Sequence, residues 1–151
     1  GITTIDQKSR EMYEKVVDRL MARINGKVKE NDPNFAINEK YMTEDAEHIF
    51  VAYGSVARTS MNIAKRLRSE GIKAGLFTVK MLWPFPKTEY QSLLNGNVKN
   101  IIVPEMNLGQ YVGEVERYTE GKAKVSLIAK ASGELFKTEE LYNDVMAVIS
   151  K

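Results

Sequence analysis

The sequence predicts an α/β fold in which a parallel sheet is covered by helices on both faces. Short runs rich in β-branched and aromatic residues lack strict polar alternation, which is typical of strands that are buried on both sides. Segments with apolar residues at helical spacing lie between and after these runs. Strands that alternate with helices in this way are typical of parallel sheets. A chain of 151 residues is long enough for one such domain.

The first 45 residues are predicted to form a helix and a connector. Between Ser9 and Ile24 the apolar positions recur every three or four residues, and Asn25-Gly26 is expected to end this helix. Residues 29–47 are polar and contain Asp32-Pro33-Asn34, so we predict a connector with one short edge strand within residues 37–42. We therefore divide the chain into residues 1–45, helix and connector, and residues 46–151, the α/β domain.

Four strands and four helices are predicted after the connector. The strands are residues 48–53, 73–79, 100–104 and 124–129. The helices are residues 56–70, 87–94, 108–118 and 139–149. Thr138 is the expected N-cap of the last helix, and Glu139 and Glu140 lie in its first turn, where the helix dipole favours acidic side chains.

Composition excludes several classes of function. The net charge of +2 gives no indication of a nucleic-acid partner. The chain has no cysteine, so it cannot by itself hold a disulfide, an iron–sulfur cluster or a thiolate zinc site. Its one histidine, His48, is expected to be structural because it lies at the start of a strand, away from the ligand-binding edge. No apolar stretch is long enough to cross a membrane, so we expect a cytoplasmic protein without a membrane partner.

Ligands of open α/β sheets bind beyond the carboxyl ends of the strands, which directs attention to the loops there. The first loop contains Gly54, Ser55 and Arg58. We favour a turn in which Ser55 caps the next helix and Arg58 pairs with protein carboxylates. The alternative is an anion site, because a helix N-terminus and an arginine together attract phosphate or carboxylate. The segment lacks both the GxGxxG and the GxxxxGK[ST] signatures.

Two further loops are candidates for an interface. The second loop contains Trp83, Pro84 and Phe85, a rigid apolar segment that suits either the core or an interface. The third loop supplies five more candidate residues: Glu105, Met106, Asn107, Leu108 and Gln110. A glutamate before a helix gains from the helix dipole, and no second acid or base supports a catalytic role for it. Because both loops leave the same edge of the sheet, we expect their apolar side chains to form one protein-binding patch.

Four segments in this order carry a family resemblance: YGSVAR, GIKAGLFTVKMLWPFP, VPEMNLGQ and SGEL. They resemble the C-terminal part of the alpha subunit of 2-oxoacid:ferredoxin oxidoreductases, thiamine-diphosphate enzymes that convert a 2-oxoacid to acyl-CoA and reduce ferredoxin. The resemblance spans residues 44–151, and the first helix resembles the preceding interdomain helix. It implies the transketolase C-terminal domain fold: a three-layer α/β/α sandwich around a five-stranded, mostly parallel sheet with one antiparallel strand.

The resemblance also implies a function. The chain would be a non-catalytic assembly domain of the oxidoreductase, inactive alone, with no catalytic residue of its own. Thiamine diphosphate, magnesium and the iron–sulfur clusters would be bound elsewhere in an oligomeric complex. Its partners would be the remaining alpha-chain domains and the thiamine-binding beta subunit, and ferredoxin would be reached through the complex. The family's alpha subunit is normally longer, so we expect an isolated domain or a truncated chain.

Two other functions remain open from the sequence. One is an α/β module that binds an anionic metabolite, such as a CoA or nucleotide phosphate, at Ser55 and Arg58. The other is the equivalent domain of another thiamine enzyme, such as a 2-oxoacid dehydrogenase or transketolase.

Overall fold

A computed structural model describes residues 5–29, 38–106, 109–130 and 135–151. The chain forms two compact units, Gly1–Ile37 and Asn38–Lys151. This division falls earlier than the predicted boundary after residue 45, because the edge strand that follows residue 38 pairs with the sheet and belongs to the second unit.

The first unit contains one helix, α1 (Ile5–Lys29). The prediction that Asn25-Gly26 ends the helix is wrong, because α1 continues through both residues to Lys29. A glycine inside a helix costs only about 1 kcal/mol relative to alanine. A 25-residue helix tolerates that cost at one position.

The second unit is built on one five-stranded sheet. Its strands are β1 (Glu39–Tyr41), β2 (His48–Tyr53), β3 (Ala74–Val79), β4 (Asn100–Glu105) and β5 (Lys124–Ala129). Their order is β1-β3-β2-β4-β5, with β1 antiparallel to β3 and the other neighbours parallel. This is the mostly parallel sheet with one antiparallel strand that the family resemblance implies, and β1 lies within the predicted edge-strand region.

Helices cover both faces of the sheet. They are α2 (Ser55–Ser69), α3 (Lys87–Gln91), α4 (Val112–Thr119) and α5 (Thr138–Ile149). Alternate residues of β2 point to opposite faces: Ile49 and Val51 pack with α3 and α4, whereas Phe50 and Ala52 pack with α2 and α5. The architecture is therefore a three-layer α/β/α sandwich, and the central strands β2, β3 and β4 lack polar alternation because both of their faces are buried.

Three helix starts differ from the predictions. Thr138 is the first residue of α5 rather than its N-cap, which is Lys137, and no side chain caps this helix. Glu139 and Glu140 do lie in its first turn. Helix α4 begins at Val112, later than predicted, because residues before it form a turn in which Gly109 has a φ of +79°. The start of α2, described below, also departs from the prediction.

A helix that spans a membrane must be both long and apolar. Among the described residues, none of the helices combines the length and the apolar character that crossing a bilayer requires.

Candidate functional site at the carboxyl edge of the sheet

The sheet opens between β2 and β4 at its carboxyl edge. The two strands pair only from His48↔Asn100 to Phe50↔Ile102. Asn100 donates its backbone N–H to Glu47 of the chain leading into β2, so the residues of β4 that face β2 are 100, 102 and 104. The next donor would therefore be residue 104, which is a proline and has no N–H. Pro104 thus ends the pairing, at the point where the strand order reverses and α/β folds bind ligands.

Three cavities line this edge. A cavity of about 100 Å³ lies between the two strand ends and is lined by residues that include Tyr53, Gly54 and Glu105. A second, of about 210 Å³, extends past Arg58 to Met106 and Phe136. A third, of about 580 Å³, lies on the β3 side and reaches Lys80. Arg58 lines both of the larger cavities.

The Ser55 turn differs from the prediction in two respects. Gly54, not Ser55, is the N-cap of α2, and no side chain caps the helix. Gly54 has a φ of +63°, a left-handed conformation that favours glycine, which explains the residue type there. Arg58 is exposed, and no carboxylate among the described residues lies within ion-pair distance of it. The expected pairing of Arg58 with protein carboxylates is therefore wrong within the described part of the chain.

Glu105 is a buried structural acceptor. Only 1% of the residue is exposed. Its Oε1 accepts hydrogen bonds from the backbone N–H of Tyr111 (2.9 Å) and the hydroxyl of Tyr53 (3.2 Å), and its Oε2 accepts from the N–H of Val112 (3.1 Å). The carboxylate therefore caps the start of α4, where the dipole favours a negative charge, as the sequence predicted. The prediction that Glu105 belongs to an exposed protein-binding patch is therefore wrong, because its side chain is buried.

The Trp83 loop (residues 80–87) is divided between surface and core. Trp83 is 55% exposed and Leu82 is 44% exposed. Phe85, by contrast, is 4% exposed; its ring stacks on Tyr118 with a centroid separation of 4.6 Å and meets Tyr90 edge-on at 5.3 Å. The expected patch is therefore corrected for Phe85, because these aromatic rings enclose its side chain.

The other members of the expected patch are placed as follows. Pro84 is buried, Met106 is partly buried against the α2 and α5 side, and Gln110 is exposed. Asn107 and Leu108 lie outside the described residues. Of the described members of the expected patch, only Trp83 and Gln110 are exposed.

Two tyrosines that were not among the predicted site residues, Tyr53 and Tyr111, also belong to the site. Tyr53 binds Glu105 and packs edge-on against Tyr111, with ring centroids 5.5 Å apart. The hydroxyl of Tyr111 is buried and has no hydrogen-bond partner among the described residues; burial raises its pKa above the ordinary value of a phenol. The position of Tyr53 at the end of a buried strand could have indicated that it belongs to the site. The sequence does not indicate the same for Tyr111, because its contact with Tyr53 depends on tertiary packing.

His48 has the structural role that was expected. It is buried at the start of β2, and its Nδ1 lies 3.0 Å from the side-chain amide nitrogen of Asn100, an amide donor. Burial lowers the pKa of His48, which favours the neutral imidazole that accepts this bond.

The described side chains form no group that could hold a metal ion. No group of three or more His, Asp or Glu side chains converges within the described ranges 5–29, 38–106, 109–130 and 135–151, and the sequence contains no cysteine. The edge instead combines Arg58, which pairs with no described carboxylate, with a helix start that no side chain caps and with exposed apolar side chains. Such an arrangement suits binding, either of an anion or of another protein surface.

Comparison with known proteins identifies the family. Residues 46–141 match the family described as pyruvate:ferredoxin oxidoreductase core domain II. The chain belongs to this family. This core domain II chain is also similar to a curated relative, the 2-oxoglutarate synthase subunit KorA from Methanothermobacter marburgensis. The two sequences are 36% identical over 143 residues, which cover 95% of this chain and 37% of that protein. The chain thus spans little more than a third of the length of this relative.

Solved structures place the core domain II fold among known architectures. The 2-oxoglutarate:ferredoxin oxidoreductase from Magnetococcus marinus, solved with 2-oxoglutarate, coenzyme A and succinyl-CoA bound, matches with a TM-score of 0.63 and 29% identity, over 74% of this chain and 19% of that chain. A split-gene transketolase, an inactive beta4 tetramer, matches with a TM-score of 0.58 and 13% identity, over 75% of this chain and 41% of that chain. The second likeness shows the fold alone, which is the transketolase C-terminal-like sandwich.

Proposed function

We propose that this chain is a non-catalytic assembly domain of the alpha subunit of a 2-oxoacid:ferredoxin oxidoreductase. The observation that carries the proposal is the match of residues 46–141 to core domain II. The arrangement of side chains at the carboxyl edge of the sheet supports it. Among the described residues, the carboxylate between the ends of β2 and β4 is Glu105, and it caps α4, while Trp83 and Leu82 are exposed. A family domain with this arrangement can contact neighbouring protein.

The cofactors of the proposed enzyme belong elsewhere in the complex. Iron–sulfur clusters are held by cysteine thiolates, which this sequence lacks. The sequence also lacks a GDG motif with downstream asparagines for a magnesium diphosphate. We therefore propose that thiamine diphosphate, magnesium and the clusters are bound by other domains and subunits, that the complex is cytoplasmic, and that ferredoxin reaches it through those parts.

The partners that we propose are the remaining alpha-chain domains and the thiamine-binding beta subunit. The contact would include Trp83, since large aromatic side chains are enriched among the anchors of protein interfaces. Replacing Trp83 with Ala should weaken association with these partners by more than about 1 kcal/mol.

The experiment measures binding of the purified chain to the co-expressed beta subunit and remaining alpha-chain domains by calorimetry. Met42→Ala is the matched control, because Met42 is 44% exposed but lies at the opposite, amino-terminal edge of the sheet. Binding that is unaffected by Trp83→Ala would remove the tryptophan from the interface. An absence of any binding to these partners would overturn the assembly role itself.

A second candidate function is anion binding at the Ser55 turn. The observation that favours it is Arg58, which lines two cavities beside the uncapped start of α2 and has no carboxylate partner among the described residues. The N–H groups of the first turn and the guanidinium could both donate to a phosphate. Coenzyme A is one bound molecule of the Magnetococcus marinus structure, which makes a CoA phosphate the first ligand to test.

Thermal melting in the presence of CoA or inorganic phosphate tests this second function. A ligand present at a hundred times its dissociation constant stabilises the folded state by about 2.7 kcal/mol. For a chain of this size the melting temperature would rise by roughly 5–10 °C. Anion binding at this turn requires a saturable rise that Arg58→Ala removes and that the control Lys124→Ala retains. An unchanged melting temperature would leave Arg58 without a ligand role.

A further inference from the structure

The two edges of the sheet are built differently. The edge strand β1 has only three residues, Glu39-Lys40-Tyr41, and its charged side chains are engaged: Glu39 pairs with Lys80 at 2.8 Å, and Lys40 donates to Ser92 at 3.1 Å. Short, charged edge strands resist pairing with other chains. β1 is therefore a protected edge.

The opposite edge, β5, is twice as long and carries a charge only at its first residue, Lys124. It pairs with β4 over all six residues without a bulge, and the segment Val125–Ala129 contains no charged residue and no proline. Leu127 is 40% exposed. An unbulged edge strand of this length, largely uncharged, is a template for the addition of another strand.

The backbone groups available on β5 follow from the hydrogen bonds at its ends. Lys124 donates its N–H to Lys99, and Lys130 donates to Glu105, so the even-numbered residues face β4. The N–H and C=O groups of Val125, Leu127 and Ala129 therefore face outward. No partner for these groups occurs among the residues that the structure describes.

The charges beside β5 indicate what kind of strand it would accept. Lys122 and Lys124 are exposed at its start and form no ion pair with a described residue, whereas Lys130, after its end, pairs with Glu140 at 3.1 Å. Opposite charges that face each other across a strand pair stabilise it. The two lysines at the start of β5 therefore favour an added strand that carries a carboxylate.

We propose that the β5 edge binds an extended segment of another polypeptide as a sixth strand of the sheet. The segment is apolar or β-branched at its centre and carries a carboxylate that faces Lys122 and Lys124. The main-chain groups of Val125, Leu127 and Ala129 provide its hydrogen bonds. This surface is distinct from the Trp83 loop, and the proposal does not depend on the enzyme to which the domain belongs.

The probe is a synthetic peptide, acetyl-Glu-Val-Thr-Val-Thr-Val-Glu-amide, added to the isotopically labelled full chain. We expect saturable shifts of the β5 amide signals and amide exchange at Val125, Leu127 and Ala129 that is slowed by about tenfold or more. A peptide with lysine in place of both glutamates is the matched control, and it should bind at least about tenfold more weakly.

Two variants test the backbone role of the edge. Leu127→Pro removes one outward N–H, and edge strands tolerate proline at such a position. It should abolish peptide binding while the melting curve stays cooperative; Ala129→Pro, at the end of the strand, serves if the first variant does not fold. Equal binding of the acidic and basic peptides, or no binding of either, overturns the proposal. So does a dimer of the chain that Leu127→Pro dissociates, because the occupant would then be a second copy.

Discussion

At the scale of single residues, the carboxyl edge is organised by Glu105. The sequence places a glutamate between a strand and a helix, and this position alone predicts a favourable interaction with the helix dipole. It does not predict that one carboxylate accepts three hydrogen bonds, because two of the donors, Tyr111 and Val112, come from the far end of an irregular loop. The third donor, Tyr53, comes from a neighbouring strand.

Replacing Glu105 with Ala should lower the free energy of unfolding by about 3 kcal/mol, because it leaves the buried N–H of Tyr111 and the partly buried N–H of Val112 without acceptors. Urea denaturation followed by circular dichroism measures the change. Glu114→Ala, in the first turn of the same helix but exposed, is the matched control and should change stability far less. Equal effects of the two substitutions would contradict the capping role.

At the scale of elements, Arg68 fastens the turn after β1 to the start of β3. Its side chain, 16% exposed, donates to the carbonyl oxygens of Ala74 (2.7 Å) and Met42 (2.8 Å) and pairs with Asp45 at 2.7 Å. The hydrogen bond and charge of Arg68 lower the pKa of Asp45. The turn is tight: Met42 has a φ of +48°, which is uncommon for a residue other than glycine. The Met42 carbonyl oxygen also lies so close to Gly75 that a Cβ on that residue would be only 2.7 Å away.

Arg68→Lys should therefore destabilise the protein by about 1–3 kcal/mol, since a lysine keeps the charge but cannot make the three-sided set of bonds. The change is measured by chemical denaturation. Arg66→Lys is the matched control two residues earlier in α2, where an exposed arginine pairs with Glu70 and Glu139 at the surface. Exposed ion pairs contribute little, so this control should be much milder. A larger effect at Arg66 than at Arg68 would show that the turn is held by other contacts.

At the scale of the whole molecule, we propose that the chain supplies a folded scaffold for assembly and that the reaction centre lies elsewhere in the complex. The described unit Asn38–Lys151 has its own two-sided core, which is sufficient for a domain to fold. The whole chain spans only 37% of its KorA relative, so we propose that the reaction depends on residues outside this sequence.

The purified chain should accordingly show no turnover of 2-oxoglutarate or pyruvate when supplied with thiamine diphosphate, magnesium, CoA and ferredoxin. The reason is that the sequence lacks the cysteine ligands of an electron-transfer cluster. Acyl-CoA formation and ferredoxin reduction are measured together, with an intact enzyme of the family as the positive control. Turnover above the rate of a heat-denatured sample would refute the non-catalytic assignment.

The sequence by itself determined the layered architecture and the family. Apolar runs without alternation required strands buried on both faces, the helical patterns between them required parallel crossovers, and the short polar segment before residue 48 gave the edge strand. These features were predictable because each depends on residues close together in the chain. Pro104 is visible in the sequence as a residue without an N–H. That it ends the β2–β4 pairing follows only from the register of the two strands.

Only the tertiary structure decided which side chains of the loops are exposed and which are buried or paired. Trp83 and Phe85 are two residues apart in a rigid loop, yet one is exposed and the other is enclosed by Tyr90, Tyr111 and Tyr118. Likewise Arg58 has no carboxylate partner among the described residues, whereas Arg68, in the same helix, binds Asp45, Met42 and Ala74. Burial and pairing at such positions depend on distant segments that the fold brings together, and the pattern along the chain does not encode them locally.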